Sequence, residues 1–290
     1  MKAGFIGLGN LGRAVAGRLA EQGVALTAYN RTRARAEAFA GEMPAGRVKV
    51  ASTPLEAIES ADVTFICLFD SDAVAEVLMG PGGLAASSRC GTIIDITTNH
   101  FDTVHEFHGL VADHGGQYLE SPVLGSVVPA SKGMLTVLAS GPEKAYKAAL
   151  PYLELIGANL FHLPEPGTAT KMKLINNLVL GSLMATLAEA VSIAEDAGLT
   201  REQACDILGA GGGKSLVLDA KRKKLIDRDF SAHFSSSLIY KDLQIMSELA
   251  YEMRRPLYTG AMAKELFAEA VRQGMGDEDF SGVYRVLSRQ

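Results

Sequence analysis

The chain has little of what would mark it as exported, metal-bound or drawn to nucleic acid. Three cysteines among 290 residues, Cys67, Cys90 and Cys205, are odd in number and far apart, so neither a disulfide framework nor a metal site is expected of them. No block of lysine and arginine offsets the formal net charge of −5, which leaves little attraction for nucleic acid or an anionic membrane. Met1 runs straight into a short apolar strand, without the basic region, longer apolar stretch and small-residue cleavage site of a signal peptide, and a cytoplasmic protein is expected. The most apolar helical stretch, around Leu174 to Ala194, is interrupted by Asn176, Asn177 and Glu189, which suits a buried helix better than a membrane span. Repeats and low-complexity tracts are missing too. What is there is ordinary globular material, 48% apolar and 21% charged, and its length suits two domains.

From Met1 to about Leu163, short β-rich runs alternate with helical stretches. Strands fit Ala3–Ile6, Ala25–Tyr29, Val48–Ala51, Val63–Phe69, Thr92–Thr97, Gln117–Leu119 and Leu135–Ala139. Repeated βα units predict a Rossmann-like, doubly wound parallel sheet covered on both faces. Pro164-Glu165-Pro166-Gly167 then punctuates the chain, and a helical pattern runs from about Thr168 to Ala197, stopping at Gly198. The expected domains are therefore 1–163, dinucleotide-binding, and 164–290, all-helical around one long helix. About 30 residues make that helix roughly 45 Å long. Its middle is apolar nearly all round, through Leu174, Ile175, Leu178, Val179, Leu180, Leu183, Met184 and Leu187, so it should be sandwiched, with a second subunit of a homodimer or homotetramer as part of the cover.

The first strand ends in Gly7-Leu8-Gly9-Asn10-Leu11-Gly12, and a helical pattern follows at once. At that place the glycines supply a tight turn, close backbone approach to a pyrophosphate and tight helix–strand packing, and the helix N-terminus stabilises negative charge. The second strand ends at Tyr29-Asn30-Arg31-Thr32-Arg33, where an NAD site usually places an acidic residue on the ribose hydroxyls. Here Asn30 can still bond a ribose, while Arg31, with Arg33 or Arg35 nearby, offers a charged fork suited to a 2′-phosphate. NADP(H) is the expected cofactor.

Lys171, Lys173, Asn176 and Asn177 stand near the start of an otherwise apolar helix, where ionised groups need a task or a partner. Residues four apart share a face, so Lys173 and Asn177 project together while Lys171 points elsewhere. A lysine paired with an amide can hold a substrate oxygen and exchange its proton, provided its surroundings lower the ammonium pKa. His105, His108 and His114 have no carboxylate or cysteine at a metal-site spacing, so they read as a solvated helix face and no metal is expected.

These elements together resemble the β-hydroxyacid dehydrogenases over nearly the whole chain. The resemblance rests on the opening Gly-Phe-Ile-Gly-Leu-Gly-Asn-Leu-Gly, Ile94-Asp95-Ile96-Thr97-Thr98, the Pro122 to Gly133 segment, Lys171-Met172-Lys173-Leu174-Ile175-Asn176-Asn177, Lys241-Asp242-Leu243 and Asp277-Glu278-Asp279-Phe280-Ser281. The Asn-Arg-Thr and Lys-Met-Lys-Leu-Ile-Asn segments look most like the glyoxylate/succinic semialdehyde reductase branch. It implies an NADPH-dependent reductase of a small aldehyde or keto acid, with the catalytic lysine on Lys173 and its partner on Asn177. It also implies cofactor contacts at Leu68, Phe69 and Thr98, with Lys241 closing over the cofactor and Asp242 orienting that segment. Without the resemblance, Lys241-Asp242 reads as a surface charge pair.

The loop that binds the substrate carboxylate usually reads Asp-x-Pro-Val-Ser-Gly-Gly in that family. Here it is Glu120-Ser121-Pro122-Val123-Leu124-Gly125-Ser126. Leucine donates no hydrogen bond, so carboxylate binding would rest on backbone N–H groups around Gly125 and Ser126, with Ser121 or Ser126 as substitute hydroxyls. That points to a bulkier, less polar or non-carboxylate substrate. Two other readings stay open. One is an imine reductase of similar fold, which Lys173 opposes and Leu124 favours. The other is a non-catalytic NADPH-binding protein, which would have no need of Lys173 and Asn177 on one face.

Overall fold

The computed structural model describes residues 1–87 and 90–288. Its chain divides into two compact units, Met1–Lys173 and Leu174–Gln290.

The first unit opens with β1 (Lys2–Ile6), α1 (Asn10–Glu21), β2 (Ala25–Tyr29), α2 (Arg33–Glu42) and β3 (Val48–Val50). It continues through α3 (Pro54–Glu59), β4 (Val63–Ile66), α4 (Ser71–Met79), β5 (Thr92–Asp95), α5 (Thr103–Asp113) and β6 (Gln117–Glu120). Then come β7 (Val123–Leu124), α6 (Val127–Ser131), β8 (Leu135–Ser140), α7 (Glu143–Ile156) and β9 (Gly157–Leu163). The strands form one sheet in the order β3-β2-β1-β4-β5-β6-β8-β7, with β9 also on β8. Turn chemistry sets the helix starts: Thr53 with Pro54 opens α3, and the Asp70 carboxylate accepts the Ala73 N–H at 2.9 Å to open α4. Two apolar clusters lie within this unit, one around Phe5, Phe65 and Leu19 and the other around Ile66, Ile93 and Tyr118. Central strands buried from end to end, such as β4 and β5, are what a sheet covered on both faces requires.

The expectation of a parallel sheet holds from β3 through β6 and fails at β8, which runs antiparallel to both β6 and β7. Between β6 and β8 lie only the two-residue β7 and the five-residue α6, too little helix for the crossover a parallel neighbour needs. Sequence reading also missed β7 and β9. Both are short or poorly buried, and both owe their strand geometry to pairing with β8.

Along one edge, Ile6 stands beside Tyr29 and Ile66, Ile66 beside Asp95, and Asp95 beside Glu120. The C-terminal ends of five strands thus line up, with the strand order reversing at β1. Ligands bind such open α/β sheets outside that reversal point.

Helix α8 (Thr168–Asp196) starts in the first unit and continues into the second. By length and composition alone it could cross a membrane; only 33% of its most apolar stretch is buried, so the buried helix expected from the sequence is mostly uncovered in the single chain. It stops at Gly198, whose φ of +89° only glycine adopts readily. After it come α9 (Arg201–Ala210), α10 (Leu216–Asp227), α11 (Ser236–Glu252), α12 (Thr259–Ala270) and α13 (Tyr284–Leu287). Thr200 and Gln203 form a capping box at α9, and Ser215 and Ser235 cap α10 and α11. These helices close around Met184, Val191, Leu243, Phe267 and Phe280. A buried ion pair, Lys221 Nζ to Asp279 at 2.8 Å, ties α10 to the Asp279-Phe280-Ser281 turn.

Candidate active site

The glycines of the first turn divide by task. Gly7 has a φ of +97°, and a Cβ there would stand 2.1 Å from the Cys67 carbonyl. At Gly12 a Cβ would meet the Gly7 carbonyl at 2.2 Å. Both are glycine because the fold has no room. Gly9 is different: its φ is −70°, and a Cβ would meet nothing within 4 Å among the described residues. Its bareness serves no internal packing and leaves open backbone at the start of α1, where the N-terminal N–H groups attract an anion. That is the cradle a dinucleotide pyrophosphate fits. Asn10 is exposed beside it, Leu11 half-buried and Leu8 buried.

Asn30 reaches back into this turn, its carbonyl accepting the Leu8 N–H at 2.9 Å and its amide donating to the Thr32 carbonyl at 3.0 Å. It therefore shapes the loop. Arg31, Thr32 and Arg35 are exposed just beyond, and among the described residues neither Arg31 nor Arg35 makes an ion pair, whereas Arg33 binds Glu37 and Ser52. Of the expected fork, Arg33 is thus already engaged.

Two further edge segments lie next to this turn. After β4, the Leu68 N–H donates to the Thr97 hydroxyl at 3.0 Å, while Phe69 is half exposed. After β5, the buried Asp95 accepts from the Thr97 N–H at 2.8 Å, the Asn99 amide at 2.8 Å and the Tyr118 hydroxyl at 2.5 Å. Burial raises the Asp95 carboxyl pKa, opposed by these hydrogen bonds. They fold the chain so that the half-buried Thr98 sits at the edge. The sequence named Thr98 and missed the carboxylate that places it.

Lys173 is buried to 8% exposure, and its Nζ donates to the Val123 carbonyl at 2.8 Å. Lys171 is half exposed. The Val123 carbonyl belongs to the loop singled out for substrate: Ser121 and Val123 are buried, Leu124 and Ser126 half-buried, and Gly125 exposed with a φ of +119°. The Ser121 hydroxyl is buried with no hydrogen-bond partner among the described residues. Three residues before Val123, Glu120 accepts from the Gly167 N–H at 2.5 Å, the Thr170 hydroxyl at 2.6 Å and the Thr170 N–H at 3.3 Å, with His108 Nε2 at 3.2 Å. Burial pushes this carboxyl up, but the hydrogen bonds from His108, Thr170 and Gly167 outweigh it and hold the pKa below the ordinary glutamate range. His108 is thus a half-buried partner of Glu120 rather than part of a solvated face, although His105 remains exposed.

In the second unit Asn177 is fully buried, and its amide donates to Asp242 at 2.5 Å. Asp242 also pairs with Lys241 at 3.0 Å. Asp242 is 1% exposed and bonds α8, so it is not the surface charge that the residues alone, without the family resemblance, would suggest. The two residues lie 65 positions apart in the chain, beyond any local pattern.

A bare glycine turn at the reversal of a doubly wound sheet, in a unit that ends on a buried lysine and is followed by a helical unit, defines an NAD(P)-dependent dehydrogenase fold. Residues 2–164 match the NAD-binding domain of 6-phosphogluconate dehydrogenase, and residues 167–287 match the NAD-binding domain of NADP-dependent 3-hydroxyisobutyrate dehydrogenase. The chain belongs to the β-hydroxyacid dehydrogenase family. Among relatives, cytokine-like nuclear factor N-PAC of Gallus gallus is 34% identical over 285 residues, which is 98% of this chain and 51% of that protein. This chain spans about half the length of the N-PAC relatives. The 2-(hydroxymethyl)glutarate dehydrogenase of Eubacterium barkeri is 31% identical over 288 residues, 99% of this chain and 94% of that one. A solved structure of Psf3 in complex with NADP+ and 2-OPP matches with a TM-score of 0.88 at 28% identity, covering 99% of this chain and 100% of that one. An imine reductase from Pseudomonas sp. matches at 0.65 and 20% identity, 99% of each chain, a likeness of fold alone.

Proposed function

We propose that the protein is an NADPH-dependent reductase of a small aldehyde or keto acid, with Lys173 as its general acid. The observation that carries this reading is the Lys173 ammonium, buried in an apolar helix and held on the Val123 carbonyl at 2.8 Å. A buried charge of this kind is costly without a task. Bound nicotinamide supplies the hydride. The chain's own part is to stabilise the negative charge that grows on the carbonyl oxygen and then to protonate it, and an ammonium on a loop carbonyl can do both. Asn177, one helical turn further along α8, is held by Asp242. Preference for NADPH is supported by Arg31 and Arg35, exposed and free of ion pairs among the described residues next to an asparagine instead of an acid.

The protein also works as a homo-oligomer in this reading. Ile175, Val179 and Leu183 make an exposed stripe along α8, 40%, 54% and 38% exposed, which a second copy would cover. Sedimentation should find a dimer or larger at micromolar concentration; a compact monomer would contradict it.

The activity is tested by NADPH oxidation across glyoxylate, succinic semialdehyde, tartronate semialdehyde, longer aldehydes and cyclic imines. Turnover of an aldehyde or keto acid is expected. Turnover of imines alone would replace this reading with that of an imine reductase, and no turnover at all would favour a non-catalytic NADPH-binding protein.

A further inference from the structure

The start of α8 is held by its neighbours at several points: the Ala169 N–H donates to the Ser140 hydroxyl on β8 at 3.2 Å, and the remaining holds come from one short stretch of chain. Glu120, at the end of β6, takes the Gly167 N–H, the Thr170 N–H and the Thr170 hydroxyl. Three residues on, the Val123 carbonyl takes the Lys173 ammonium at 2.8 Å. Thr170 and Lys173 are themselves three apart on the helix and share a face. The Ala169–Ser140 bond alone would leave the first turn free to rotate about it, whereas the Glu120 and Val123 holds, one turn apart on a single face, fix both rotation and sliding.

The remaining surroundings favour this grip. Gly167 has a φ of +83°, which favours glycine, and a Cβ there would lie 2.9 Å from the side chain of His105 on α5. The first N–H groups of a helix have no partner within it, and Glu120 satisfies two of them, at Gly167 and Thr170. Other ionisable groups near the carboxylate are His108 on α5, Asp95 beside it on β5, and Tyr118 two residues before it on β6.

We propose that Glu120 is the positioning residue for Lys173, its carboxylate setting the register and rotation of the first turn of α8 so that the ammonium stands at the Val123 carbonyl. This rests on Lys173 as the general acid. Glutamine cannot substitute. Both carboxylate oxygens accept hydrogen bonds, so in either orientation the amide NH2 would face groups that themselves donate. Thr170→Val is the milder perturbation, because it removes only the hydroxyl donor and keeps the shape.

The test uses the full chain with two independent readouts. The first is steady-state kinetics of Glu120→Gln, Thr170→Val and Thr170→Ser with the best substrate from the NADPH screen. The second is competitive labelling of amines by acetic anhydride, read by mass spectrometry as the rate at Lys173 relative to Lys171. Misplacing a catalytic group by about 1 Å can cost on the order of 10²-fold in rate. Glu120→Gln should therefore lower kcat roughly tenfold to a hundredfold, with KM for NADPH within about twofold and Lys173 labelled several times faster. Thr170→Val should shift both readouts in the same direction by less, and Thr170→Ser should restore them. If a folded Glu120→Gln or Thr170→Val protein labels Lys173 as the parent does, the positioning role is overturned, whatever happens to kcat. If labelling changes while kcat stays at the parent value, the positioning role stands and the assignment of Lys173 as general acid falls.

Discussion

Replacing Gly9 and Gly12 by alanine, one at a time, should separate cofactor binding from folding within a single six-residue turn. At Gly12 the new Cβ would sit 2.2 Å from the Gly7 carbonyl oxygen, more than 1 Å inside ordinary contact, which is about 3.4 Å. The turn between β1 and α1 must open to admit it, at a cost of about 1–3 kcal/mol, as for other overpacked sites. At Gly9 the backbone already has dihedrals any residue adopts, φ −70° and ψ −173°, and the new Cβ meets no atom of the described residues within 4 Å. Gly9→Ala should therefore be neutral or slightly stabilising, by up to about 1 kcal/mol through the unfolded chain. That methyl group stands where the pyrophosphate must approach the backbone, and it should weaken NADPH at least tenfold, about 1.4 kcal/mol. Thermal denaturation without nucleotide gives the first quantity, and NADPH fluorescence titration gives the second. The expected pattern is a stable Gly9→Ala that binds poorly and an unstable Gly12→Ala. A Gly9→Ala protein that binds NADPH like the parent, or that melts as early as Gly12→Ala, would refute the assignment of this turn.

The remaining perturbations address selectivity and acid stability. Arg31→Ala should erase an NADPH preference of about tenfold in kcat/KM, acting mainly on NADPH; equal use of NADH by the parent would already dismiss the role of Arg31. Leu124→Ser should improve kcat/KM for glyoxylate by about one neutral hydrogen bond, roughly 0.5–1.5 kcal/mol, and unchanged or poorer kinetics would mean that the carboxylate binds elsewhere. Because the folded pKa of Glu120 lies below its ordinary value of 4.5, its contribution to stability is present above that value and is lost as pH falls through it toward the folded one. Between about pH 5 and about pH 3 the melting temperature of Glu120→Gln should accordingly fall less steeply than the parent's; parallel slopes would show that the carboxylate is not held as described.

Much of the scaffold was legible because its signals are local. Strand β2 has the bounds that periodicity gives, Ala25–Tyr29, and the helix pattern from Thr168 to the Gly198 stop is set by proline, glycine and apolar spacing. Lys173 separates from Lys171 by helical phase alone, and the structure buries the first while leaving the second half exposed. What escaped is non-local. Glu120 meets Thr170 across 50 residues, and Asn177 meets Asp242 across 65, so no window along the chain reveals either pair. His108 read as solvated for the same reason, because its carboxylate partner lies on a strand rather than on its own helix. Strand β9 escaped because its residues alternate poorly and its geometry comes from β8 beside it.

The central claim is that Lys173, and not Lys171, delivers the proton. Steady-state turnover of Lys173→Met and Lys171→Met, measured side by side with NADPH and the best aldehyde or keto acid, tests it most directly. General acid catalysis is worth about 10²–10⁴-fold, so Lys173→Met should lower kcat by that order while NADPH affinity, set by the glycine turn after β1, changes little. Lys171→Met should do far less, since its side chain leaves the helix on another face. Near-normal turnover in Lys173→Met, or greater damage from Lys171→Met, would contradict both the helical register and the mechanism.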